Sequence, residues 1–170
     1  MTLTTVSHMS IHGQYAIARA QVTIHDGGVA DLVDLEFDGG FWRRARIAPE
    51  WLRLGPTLSG RWHVTLYFRT EQDGRLKAKL YITALRRIED GDPSSAWEAV
   101  GRVTQLDEAC GRAIIRIRPS APMVKPFLLW VITPVLLLAR MKVGGFYRLD
   151  GTVRNQCPLV ESIVPMEMLE

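Results

Sequence analysis

Trp42, Arg44 and Arg46 are spaced two residues apart, which puts successive side chains on one face of an extended strand. An indole beside two guanidiniums can stack on a flat aromatic ring while holding phosphate oxygens. A second group of the same character is Arg61, His63, Tyr67, Arg69, Arg75, Lys77, Lys79 and Tyr81. Its intervening acids are Glu71 and Asp73. Plainer chemistry accounts for both groups as well. A three-residue loop at Asp38-Gly39-Gly40 sets Asp34 opposite Arg44 and Glu36 opposite Trp42, so these arginines would be cross-strand ion-pair partners. The second group would then be a solvated sheet face whose cations discourage edge pairing.

Catalytic chemistry has little to stand on. His8, His12, His25 and His63 are scattered, and no Gly-rich phosphate loop, nucleophile motif or telling pair of acids appears. His25-Asp26 is read as a turn former. Cys110 and Cys157 are too few and too far apart for a zinc site or a disulfide framework. No metal and no cofactor is expected, and a reduced, cytoplasmic setting is the default for such a chain.

The overall charge narrows the partners. The net charge is +3, from 12 Lys and Arg against 10 Asp and Glu in residues 1–90 and 9 against 8 in residues 91–170. A dedicated duplex binder draws its affinity from a much larger basic excess. Of the 21 basic residues 17 are Arg, which suits bidentate phosphate contact and stacking as readily as ordinary ion pairs. The 13 residues Phe127 to Ala139 are the most apolar run and contain Pro134. They fall short of the roughly 20 needed to span a bilayer. Met1 to Gly13 lacks the basic and apolar regions of a signal peptide.

The elements that must carry these side chains are strands. Tyr15 to His25, Val29 to Phe37 and Phe41 to Ile47 form a three-strand meander broken at Asp26-Gly27-Gly28 and Asp38-Gly39-Gly40. Pro49 opens a short helix that Gly55-Pro56 ends. Arg61 to Thr70 then alternates, with Trp62, Val64, Leu66 and Phe68 inward and Arg61, His63, Thr65, Tyr67 and Arg69 outward. Arg75 to Ala84 alternates likewise, with Leu76, Ala78, Leu80 and Ile82 inward. Residues 91–95 complete a linker-like stretch, which predicts units at 1–90 and 96–170. In the second, Trp97 to Asp107, Arg112 to Arg118, Phe127 to Ile132, a Pro134 helix, Gly145 to Arg154 and Leu159 to Pro165 repeat the order. Residues 47–69 and 132–154 align without a gap at an offset of 85, with five identities in 23 positions. The chain reads as one small barrel copied once.

Three strands, a short helix, then a two-strand hairpin is an order that resembles the OB-fold, a five-stranded Greek-key barrel. The resemblance covers each half and implies an all-β protein of two tandem OB-like barrels, each with one short helix between strands three and four. It also implies a ligand face on strands two and three, flanked by the loops joining strands one to two and four to five. Cys110 and Cys157 fall in two such loops of the second copy, where a bridge is conceivable. On this reading Trp42, Tyr67 and Tyr81 would stack on bases, while Arg44, Arg46, Arg69, Lys77 and Lys79 would hold phosphates of single-stranded DNA or RNA. The second copy departs from the first at its third strand. At offset 85, Phe127, Leu129 and Val131 replace Trp42, Arg44 and Arg46, and Leu128, Trp130 and Ile132 are apolar too. A strand apolar on both faces needs cover on both. The first copy, the Pro134 helix or a second chain could supply it, with Phe127, Leu129, Trp130 and Val131 as the contact. Two functions follow: a non-enzymatic single-strand binder whose second barrel holds the molecule or a dimer together, or a structural adaptor docking a protein through that apolar strand. An enzyme with a barrel site is a third, weaker option.

Overall fold

Strand periodicity governs nearly every segment. The computed structural model describes residues 13–28, 31–120 and 124–167; His8, His12 and the chain start lie outside them. The first half runs β1 (Tyr15–Asp26), β2 (Leu32–Phe37), β3 (Trp42–Ile47), α1 (Pro49–Leu52), β4 (Gly60–Tyr67) and β5 (Lys79–Arg86). The second runs β6 (Ser95–Asp107), β7 (Arg112–Ile117), β8 (Phe127–Ile132), α2 (Val135–Leu138), β9 (Phe146–Arg154) and β10 (Cys157–Pro165). Pro49 occupies the first turn of α1, where its missing N–H costs nothing. Among the described residues no helix is long and apolar enough to cross a membrane.

Each half closes on itself. In the first the order is β2-β3-β5-β4-β1 with β1 returning to β2, and in the second β7-β8-β10-β9-β6 with β6 returning to β7. Within each barrel the pairing of strands three and five is parallel and the rest antiparallel. Alternation fills the interiors: Val33, Leu35, Ala45, Ile47, Val64 and Leu66 in one barrel, Val103, Ala113, Ile115, Leu129, Val131 and Leu149 in the other.

The duplication extends to an irregularity of the backbone. In β5 one extra residue, Thr83, intervenes between the pairs Leu66↔Ile82 and Thr65↔Ala84. In β10 Glu161 does the same between Gly151↔Val160 and Asp150↔Ser162. Leu66 and Gly151 stand at offset 85, as do Thr65 and Asp150, so the bulge recurs at the aligned position. Such bulges bend and twist a strand and are retained for that reason.

The barrels are joined along a seam. Residues 15–20 of β1 pair antiparallel with residues 95–100 of β6, including Ala18↔Trp97. Within their own barrels Ala18 faces Leu66 and Trp97 faces Gly151, so Ala18 and Trp97 are counterparts that meet each other. A pseudo-twofold axis therefore passes between them, the geometry of a self-complementary contact. Phe68 packs edge-on against Trp97, with centroids 6.2 Å apart, and the two interiors merge into one apolar cluster.

Three local expectations need correcting. The strand expected from Arg75 begins at Lys79, because residues 69–77 curl outward as a hairpin bridged at Thr70↔Leu76, which leaves Ala78 exposed. His63, expected outward, is buried. Leu129 and Val131 point into the interior of the second barrel, so the offset of 85 slips in phase at strand three, where buried Ala45 and Ile47 align with half-buried Trp130 and Ile132. Cys110 and Cys157 are free thiols, one exposed and one buried.

Candidate nucleic-acid interface

The outer face of β3, β5 and β4 collects the aromatic and cationic side chains. Arg46 is the register partner of Tyr81, and Tyr81 of Tyr67, so the three form one row across three strands. Arg44 pairs with Lys79 in the row beside it. The Lys77 N–H donates to the Arg69 carbonyl at 2.9 Å, which places that pair at the end of the same face. Strand alternation alone puts these residues outside, since Ala45, Leu66, Leu80 and Ile82 between them are sealed in the core. The Tyr67 and Tyr81 rings are stacked, with centroids 6.3 Å apart and planes 22° apart, and both are exposed.

Charge divides this face. Asp34 accepts from Arg44 at 3.2 Å and Asp31 lies 3.7 Å from Arg46, the cross-strand pairing the hairpin loop implied for Arg44. Glu36 lies 3.0 Å from His25, whose ring packs against Trp42 at a centroid distance of 4.6 Å. Strand two thus lines its side with carboxylates. Among the described residues no carboxylate lies within ion-pair distance of Arg69, Lys77 or Lys79. The cations without such a partner thus lie in the hairpin between β4 and β5 and at the start of β5, whereas the fold resemblance implied strands two and three.

A cleft of about 430 Å³ opens where this face meets the second barrel. Arg46, Tyr67, Arg69, Lys79 and Tyr81 line it from the first barrel, and Pro119, Ser120, Val124 and Phe127 from the second. Five of the eight sequence-derived ligand residues converge there. Trp42, Arg44 and Lys77 do not line it. Phe127 stands among the residues expected at a contact, whereas Pro119, Ser120 and Val124, like Gln14 and Tyr15, line the cleft without any local sequence signal. The Tyr15 hydroxyl hydrogen-bonds the Glu98 carboxylate across the seam, and burial together with that neighbouring carboxylate holds its proton well above the ordinary phenol range.

The apolar third strand of the second barrel is partly covered by its own chain. The Trp130 N–H donates to Thr70 Oγ1 at 2.7 Å, and Gly74 at the hairpin tip lies over Trp130 and Ile132. The Leu76 N–H donates to the Gln156 carbonyl at 2.8 Å, and Arg43 Nη2 to Gln156 Oε1 at 2.7 Å. The Arg69 guanidinium sits 4.5 Å over the Phe127 ring. Of the proposed contact residues, Phe127 and Trp130 stand at the inter-barrel seam, while Leu129 and Val131 serve the core. Leu128 remains exposed.

The fold has solved counterparts. A deletion variant of the single-stranded DNA binding protein from Thermus aquaticus, also carrying an arginine-to-alanine change, superposes with a TM-score of 0.55 at 11% identity, over 91% of this chain and 96% of that one. The wild-type protein from the same organism gives 0.51 at 10% identity, over 91% and 93%. Each half is an OB-fold. No known protein family and no curated protein matches the sequence.

Proposed function

We propose that this protein is a non-enzymatic binder of single-stranded DNA or RNA, with the strand lying across β3, β5 and β4 and entering the inter-barrel cleft. The observation that carries this reading is the row Arg46, Tyr81, Tyr67, flanked by Arg69, Lys77 and Lys79, which have no carboxylate within ion-pair distance among the described residues. Stacking platforms beside a cationic track are what sequence-tolerant single-strand binding needs. A duplex is disfavoured because its bases are already stacked and its charge calls for a larger basic excess. The likeness to proteins described as single-stranded DNA binding supports the same reading. The protein-docking alternative would have only part of that strand to use, since Thr70 and Gly74 lie against Trp130 and Ile132 while Leu128 stays exposed.

The test is fluorescence anisotropy of labelled, mixed-sequence single strands of DNA and RNA, titrated at low and then rising salt. Saturable binding that weakens with salt is expected. No binding at low salt would overturn the reading.

A further inference from the structure

The cleft is more than an extension of the outer face, because its chemistry changes with depth. Its floor is Ala16, Phe68 and Leu80, 4%, 2% and 2% exposed. The tyrosine rings of the first barrel form one wall, and Phe127 with Val124 of the second form the other. Cations stand among the lining, and no Asp or Glu lines it among the described residues. An apolar slot with flat walls and cations beside it is complementary to a nucleotide, whose base is flat and apolar-faced and whose phosphate is charged. A peptide strand has no comparable foothold, since β3, β5 and β4 are paired on both edges and offer no free ladder to extend.

Resting on the single-strand reading above, we propose that this cleft takes one unstacked base of the bound strand, so that both barrels together form the binding site. Gln14 is the polar group placed to read that base. Its Oε1 accepts the Arg118 N–H at 2.9 Å, which fixes the amide and leaves its NH₂ as a donor for a base acceptor. Arg118 and Lys125 are exposed and adjoin in the chain the lining residues Pro119 and Val124, where they can meet the phosphates that follow.

The experiment uses the full chain and an iodouridine-substituted oligonucleotide. Val124→Glu places a negative charge on the second-barrel wall at an exposed position, and Leu136→Glu makes the same charge change on α2, which does not line the cleft. Val124→Glu is expected to weaken binding by about tenfold or more and Leu136→Glu by less than about twofold. Photocrosslinks mapped by mass spectrometry are expected to include Phe127. Wild-type binding with Val124→Glu unaffected and every crosslink on the first barrel would overturn the two-barrel site and leave the single-strand reading standing. Failure of the wild-type protein to bind at low salt would remove that reading, and this inference with it.

Discussion

Truncating Tyr81 or Tyr67 to Ala tests the stacking platform directly. Both rings are exposed, 41% and 55%, on a sheet whose core side chains face the other way. Neither substitution opens a cavity. Their mutual stacking is worth about 0.5–1.5 kcal/mol beyond the area each ring buries, so each variant loses some stability, which the melting control measures. Loss of a base–aromatic stack costs about 1–3 kcal/mol per base, and at 1.4 kcal/mol per tenfold this predicts dissociation constants raised about 5-fold to 140-fold. Because Tyr67 and Tyr81 are register partners with centroids 6.3 Å apart, one base can bridge them, and the double variant should lose less than the sum of the singles. Anisotropy titration at fixed low salt measures the affinities, with thermal melting as a control for folding and Tyr81→Phe as the conservative variant that keeps the ring. Both single alanine variants binding within about twofold of wild type, at unchanged melting temperature, would refute the platform.

Three further outcomes follow from the same structure. With Arg46, Arg69, Lys77 and Lys79 as phosphate contacts, the slope of log affinity against log salt should be near −3, from about −0.7 for each of four contacts on a single strand, and Lys79→Ala should make it shallower by about 0.7. Leu129→Ala should destabilise folding by about 2–5 kcal/mol without changing the particle mass on a sizing column, since the side chain fills a barrel and not a subunit contact. His63 is buried beside Arg86, and burial together with that cation lowers its pKa from 6.5. Its stabilising contribution is therefore complete above about pH 6.5 and declines as pH falls towards the lowered folded value, because the unfolded chain takes up a proton that the folded one resists. Denaturant titrations from pH 7.5 to 5.5 should show that decline, and His63→Phe should flatten it.

How far the sequence reached depended on whether a signal was local. The alternation Trp62, Val64, Leu66, Phe68 and the turns at Asp38-Gly39-Gly40 and Pro49 are written in neighbouring residues, so strand order, helix position and the Asp34–Arg44 pairing were legible. The outward set Tyr67, Arg69, Lys79 and Tyr81 came from the same period of two. What failed depended on distant partners. Thr70 to Leu76 leave their strand because that hairpin meets Trp130 and Gln156 of the other barrel. His63 is buried even though alternation sent it outward. The phase of β8 could not be read because all six of its residues are apolar, so periodicity carries no direction there. Phe127 was legible as a contact residue, but not the cleft it lines with Val124 and Tyr81, because those residues are distant in the chain and share a cleft only once the two barrels are joined.

That seam changes what it means to cut the chain. β1 offers one edge to β4 along residues 17–24 and divides the other between β6, over 15–20, and β2, over 22–26. The backbone ladder therefore passes from one barrel to the other without a break, and residues 87–94 are a tether where a hinge would be expected. A protease nick there should yield two fragments on a denaturing gel and a single particle on a native one. Separating the halves would require breaking that ladder and exposing the apolar cluster the two barrels share.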